Sequence, residues 1–121
     1  MKPIIFARLT DMKYYKGITD DDKPVNGGSY VSETSYAHEC HNFEVVEKED
    51  DGKEYCFGFA QLLGRNNPQL HIEKIIGCET FKNEEFVDNV IVVFCSTPDN
   101  DKSRAMRVVG FYKNATVYRH Q

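Results

Sequence analysis

The stretch Val90-Ile91-Val92-Val93-Phe94-Cys95 decides how the rest of this chain is read. It is continuous, apolar and largely β-branched, the pattern of a strand covered on both faces. Working outward, Pro98-Asp99-Asn100-Asp101-Lys102 supplies turn chemistry. Met106-Arg107-Val108-Val109-Gly110-Phe111-Tyr112 then reads as a strand, Lys113-Asn114 as a tight turn, and Ala115-Thr116-Val117-Tyr118 as a last short strand. Toward the N-terminus, Thr80 to Val87 holds the one modest helical turn, with Asn83, Glu84 and Glu85 near its start. Leu70 to Ile76 fits a strand or a short helix, and periodicity does not decide between them. Phe43-Glu44-Val45-Val46 and Tyr55 to Ala60 flank an Asp51-Gly52 hairpin signature, and Pro3 to Leu9 forms the first strand. About six to eight short strands with little helix predict a mixed α/β, strand-dominated fold, a small curled β-barrel with few short helices.

The 121 residues are the length of one domain, residues 1–121, and can bury a core without staples. Apolar content of 40% and charged content of 28% exclude wholesale disorder. No segment approaches the roughly 20 apolar residues that cross a bilayer, and the N-terminal apolar patch is too short for a signal-peptide core. The expected location is cytoplasmic, with no membrane partner. The net charge of −4 hides an asymmetry. Residues 102–121 carry Lys102, Arg104, Arg107, Lys113 and Arg119 and no acid, so a basic segment ends an otherwise acidic chain. Such a segment is a candidate anion-binding face, or simply a set of solvated strand positions.

Several chemistries are argued against by spacing. Cys40, Cys56, Cys78 and Cys95 form no CxxC pair, and Cys56 and Cys95 lie inside apolar runs, so buried free thiols are expected rather than zinc ligands. There is no G-x-S-x-G elbow, and Gly27-Gly28 lacks the Lys-Ser/Thr of a phosphate loop. The acidic runs Asp20–Asp22 and Glu47–Asp51 read as solvated hairpin ends. His38-Glu39 are neighbours whose side chains diverge, a poor general-base pair. No catalytic residue, cofactor or metal is expected.

A long polar stretch, Asp11 to Ser35, exceeds the usual connection of about 4–6 residues and carries Tyr14, Tyr15 and Tyr30, which a disordered linker would lack. With Phe111, Asn42 and Asn114 these make an aromatic and amide-rich set of the kind that sandwiches a nucleobase and reads its edge. The competing reading of Phe111, Tyr112 and Tyr118 is strand core.

The block Val108-Val109-Gly110-Phe111-Tyr112-Lys113-Asn114-Ala115-Thr116-Val117-Tyr118-Arg119 resembles the "VGWYKNATVYR" segment of EVE-like domains of the PUA superfamily, which stand before HNH nuclease domains in modification-dependent restriction enzymes. Met12-Lys13-Tyr14-Tyr15-Lys16-Gly17 resembles that family's "MxYYxG", Asn26 to Tyr30 its "GGGxY/F", and His38-Glu39 with Asn42-Phe43 its "GHExxNF". Tyr55 to Gln61 is similar to "YCYGYVQ" and Val90 to Pro98 to "VLVVWVAxxP". The resemblance is collinear from about residue 8 to residue 119. Two of the family's tryptophans are Phe94 and Phe111 here, and the chain contains no Trp.

The resemblance implies a catalytically inert recognition domain, the N-terminal part of a longer enzyme whose C-terminal nuclease does the cutting. Its implied partner is double-stranded DNA with a C5-modified (methyl or hydroxymethyl) cytosine, flipped into an aromatic pocket. Tyr14, Tyr15, Tyr30 and Phe111 are the expected walls. His38, Asn42 and Asn114 would read the base edge or tie the loop down, and Lys16, Arg107, Lys113 and Arg119 would contact phosphates. The alternatives are a reader of N6-methyladenine in DNA or RNA and a protein-interaction module. Sequence leaves the oligomeric state open.

Overall fold

The computed structural model describes residues 2–17, 19–22, 41–47, 52–60, 62, 68–101 and 103–120. Tyr30, His38 and Cys40 lie outside the described residues. Five strands are present: β1 (Ile4–Arg8), β2 (Val45–Glu47), β3 (Glu54–Cys56), β4 (Phe86–Ser96) and β5 (Arg107–Tyr118). Among the described residues the only helical pieces are two single 3₁₀ turns, Ile72–Lys74 and Pro98–Asn100. The chain is strand-dominated, as its β-branched runs require.

One sheet has the order β1-β4-β5 and the other pairs β2 with β3. Ile91 N–H donates to Pro3 O at 2.9 Å, and Arg8 reaches the Thr97 hydroxyl at 3.3 Å, so β1 and β4 run in the same direction. A parallel pair needs a long crossover, and here it is the whole of residues 9–85. Phe86 meets Tyr118 (ring centroids 5.9 Å apart), Thr116 donates to Asp88 at 2.6 Å and Phe94 meets Tyr112 (4.8 Å), so β4 and β5 run antiparallel. β2 and β3 pair Val45↔Cys56, Val46↔Tyr55 and Glu47↔Glu54, antiparallel. The two strands flanking the Asp51-Gly52 signature are therefore paired as expected, while residues 48–51 lie outside the described residues.

Three sequence expectations are corrected. Lys113-Asn114 does not reverse the chain: β5 is one continuous strand of 12 residues. A two-residue hairpin turn needs positive φ at its centre, and neither residue has it. The expected helical turn at Thr80–Val87 is instead irregular chain running into β4 at Phe86. Val87 has its side chain buried in the sheet, and that contact outweighs a weak local helix preference. The strand expected over Tyr55–Ala60 stops at Cys56, leaving Phe57 60% exposed.

Two compact units divide the chain: Met1–Ala7, Leu62–Cys95 and Gly110–Gln121 form the first, Arg8–Gln61 and Ser96–Val109 the second. The core of the first unit is Ile72, Ile75, Cys78, Val87, Val90, Val92, Phe94 and Cys95, all buried. In β4 the inward positions shift from Val87 to Val90, Val92 and Phe94, a change of phase at Asn89, whose φ is 63°. A left-handed residue inside a strand turns the following side chains to the other face, and Asn tolerates that region better than any residue but Gly. β5 changes phase at Lys113-Asn114, between the half-buried Tyr112 and Ala115. The β-branched run of β4 is thus covered mainly on one face: Ile91 and Val93 are only partly buried.

The core of the second unit is built round Leu9, Met12 and Tyr15 with the polar residues Asp11, Asp22, Asn42, Ser96 and Thr97, all of them buried. Asp20 and Asp21 are exposed, but Asp22 is not a solvated loop end. Its two carboxylate oxygens accept the Lys13 and Tyr14 amides at 2.7 and 2.8 Å.

Candidate functional site

Tyr14 and Tyr15 are adjacent and have opposite fates. Tyr15 is 0% exposed. Its hydroxyl donates to Thr10 O at 2.6 Å and accepts Met12 N–H at 3.1 Å, its carbonyl accepts Phe43 N–H at 2.8 Å, and its ring meets Phe43 edge-on. With φ at 56° it occupies a region costly for a bulky side chain, and the surrounding bonds hold it there. The geometry makes Tyr15 a core pin rather than a pocket wall. Tyr14 is turned out by the same kink and is 63% exposed, its backbone held by Asp22. A rigid backbone carrying an outward ring suits stacking on a flat partner.

Asn42 is also 0% exposed. Its amide nitrogen donates to Phe59 O and its amide oxygen accepts Phe59 N–H, both at 2.8 Å, a two-point clamp that imitates strand pairing. Of the two roles expected for Asn42, the geometry supplies the tie. Lys16 stands exposed nearby in the chain. Arg107 is half exposed and donates to the Asp11 carboxylate at 3.0 Å.

In the first unit, Phe111 is 54% exposed, and Lys113 is exposed. Asn114 is exposed and accepts a hydrogen bond from Lys2 Nζ at 2.5 Å. Arg119, expected on phosphate, is 7% exposed. Its Nε donates to Glu84 O at 2.9 Å, and Nη2 to Phe81 O and Lys82 O at 3.0 Å each. Nη1 meets Glu73 Oε1 at 2.8 Å, Gln69 Oε1 at 3.3 Å and Leu70 O at 3.5 Å. A guanidinium has five N–H donors; here all are committed, so Arg119 ties the segments at 69–73 and 81–84 together.

The same residues line an open cleft of about 470 Å³, with Gln69, His71, Glu73, Glu85, Arg119 and His120 on its walls. Its groups pair mostly with each other. His120 Nδ1 lies 2.9 Å from Glu85 Oε2, and the hydrogen bond from His120 holds the Glu85 carboxyl below its usual range. The hydrogen bond from Arg119 does the same for Glu73, whose Oε2 is buried with no hydrogen-bond partner among the described residues. His71 Nδ1 lies 3.6 Å from it. A carboxylate-rich wall over a saturated arginine offers little to a phosphate. Among the described residues no three His, Cys, Asp or Glu side chains are placed to hold a metal ion.

Sequence reasoning missed one constellation in the second unit. Asp11 is 5% exposed and accepts the Ser96 hydroxyl at 2.7 Å, the Asp99 amide at 2.9 Å and Arg107 at 3.0 Å. Burial pushes its carboxyl up, but those three hydrogen bonds with the Arg107 charge outweigh burial and hold it below the usual carboxylate range. Arg104 donates to Asp99 at 3.0 Å and Arg8 to Thr97. Nothing in the local pattern joins residues 8–11 to residues 96–107; only the parallel pairing of β1 and β4 does. Among the described residues no helix is long and apolar enough to cross a membrane. Comparisons with protein-family models, curated proteins and solved structures find no match to this chain.

Proposed function

We propose that this chain is a non-catalytic DNA-recognition module that takes a C5-modified cytosine, methylated or hydroxymethylated, out of the duplex and holds it against aromatic rings. The observation that carries the reading is the collinear order of motifs from Met12-Lys13-Tyr14-Tyr15-Lys16-Gly17 to Val108–Arg119, which resembles the EVE-like domains. The PUA-type curl of the sheet and an associated nuclease domain belong to the same proposal. The exposure of Tyr14, Phe111, Lys16 and Lys113 supports it, because stacking and phosphate contact both require side chains that stand in solvent.

Enclosing the whole base is the physically favoured route to selectivity. A single methyl in an apolar pocket is worth about 1–3 kcal/mol, while unstacking costs a few kcal/mol that ring stacking and edge hydrogen bonds must offset. Fluorescence titration of the chain with matched duplexes, plain and C5-modified, tests the proposal. Tighter binding of the modified duplex is expected; equal, weak and salt-sensitive binding to both overturns it. A duplex with N6-methyladenine as a third probe separates the cytosine reading from an adenine one.

A further inference from the structure

We propose that Arg8, Arg104 and Arg107 form a three-pronged phosphate grip that seats nucleic-acid backbone on the second unit. The proposal rests on the nucleic-acid reading above and names the residues that would supply sequence-independent affinity.

Two of the guanidiniums are tethered to the stretch Thr97–Asp99, and the third to Asp11, which binds the same stretch. Arg8 Nη2 donates to Thr97 Oγ1 at 3.3 Å, Arg104 Nη1 to Asp99 Oδ2 at 3.0 Å, and Arg107 Nη2 to Asp11 Oδ1 at 3.0 Å. Asp11 in turn holds Ser96 and the Asp99 amide, so the acceptors form one node fixed by a buried carboxylate. Asp99 has φ at 55°, a left-handed kink that the hydrogen bond from its backbone N–H to Asp11 Oδ2 helps to hold. The arginines are therefore aimed by the core and not merely scattered on a surface.

Each spends little on that tether. The side chains of Arg104 and Arg107 are 52% and 54% exposed, and Arg8 is exposed. Among the described residues one N–H group of each meets the node, out of the five donors that a guanidinium carries. Arg119 is the contrast within the same chain: buried, with every donor taken. A planar fork with unclaimed parallel N–H groups fits two oxygens of one phosphate, which a lysine cannot match. Holding the fork in place beforehand reduces the ordering cost of binding. A phosphodiester chain offers several such oxyanions in a row, so it rewards three tethered forks together where a free phosphate engages only one or two.

The test is the salt dependence of duplex binding by fluorescence anisotropy, with plain and modified duplexes, for the unaltered chain and for Arg8→Gln, Arg104→Gln, Arg107→Gln and the triple variant. Each single change is expected to lower the slope of log affinity against log salt by about one, with the modified-to-plain ratio unchanged. Lys74→Gln, an exposed cation of the first unit, is expected to leave the slope alone. Arg107→Lys keeps a charge beside Asp11 and so guards against misreading a folding defect; it should retain the slope while weakening affinity. A folded triple variant with an unaltered slope overturns the grip. Competition by inorganic phosphate no stronger than by chloride at equal ionic strength is expected, and displacement of duplex by millimolar phosphate overturns the polymer as the ligand. Duplex binding that keeps its arginine-dependent slope without favouring modified cytosine refutes the base reading and leaves the grip standing. Absence of any duplex binding at low salt refutes both.

Discussion

Replacing Arg119 by Met removes the tie that joins three parts of the first unit. Its Nε and Nη2 bonds to the carbonyls of Glu84, Phe81 and Lys82 run from 2.9 to 3.0 Å, and the side chain is 8% exposed. A hydrogen bond from a charged donor is worth about 1.5–3 kcal/mol. Water entering the open cleft can satisfy part of what is orphaned, so the lower end applies. Three such bonds set the loss at roughly 4–5 kcal/mol, a large part of the 5–15 kcal/mol typical of a whole domain. At about 3–5 °C per kcal/mol for a chain of this size, Tm should fall by roughly 12–25 °C in a thermal melt followed by circular dichroism. Arg119→Lys retains charge without the fork, satisfies one or two carbonyls, and should lose about half as much. Both variants, measured below their melting range, should bind duplex DNA with the salt slope of the unaltered chain. A Tm within about 2 °C of the original, together with weakened DNA binding, would refute this account and return Arg119 to a phosphate-contact role.

Four further outcomes follow from the local geometry. Asn89→Gly should leave thermal stability within about 1 kcal/mol, whereas Asn89→Val should cost about 1–2 kcal/mol because φ is 63° there; equal melting of the two variants contradicts the face-switch reading of β4. The Asp11 carboxyl, held below its ordinary range by Ser96, Asp99 and Arg107 against the opposing effect of burial, contributes stability above its unfolded pKa. That contribution is lost as pH falls through the depressed folded value, so Asp11→Asn should flatten the acid limb of a stability-against-pH profile; an unchanged acid limb counts against the node. Tyr15→Phe should lower stability by about 1–2 kcal/mol through the loss of its two hydroxyl bonds. Tyr14→Ala should leave the melt unchanged and weaken duplex binding, and the reverse pattern in calorimetry and titration would reverse the roles assigned to the two rings.

What was legible in the chain was what local chemistry dictates. The β-branched run of Val90–Cys95 had to be a strand, and Asp51-Gly52 had to mark a reversal between two short ones. Cys95 is buried and free, as its apolar run implied, and so is Cys78, whereas Cys56 in the other apolar run is only partly buried because its strand ends there. Lys113-Asn114 misled because turn residues are also tolerated where a strand merely changes face. Arg119 misled because an isolated basic residue carries no sign of burial: the six acceptors around it come from positions 69–73 and 81–84, which are remote in sequence.

By itself, then, the sequence determined a strand-rich chain with a basic ending and an aromatic early loop, since these depend on residue type and near-neighbour spacing. Only tertiary structure decided which of two adjacent tyrosines is core, that Arg119 is buried with its donors taken, and that Asp11 meets Ser96 and Arg107. Those outcomes depend on long-range pairing of β1 with β4 and on burial, and a one-dimensional pattern carries neither.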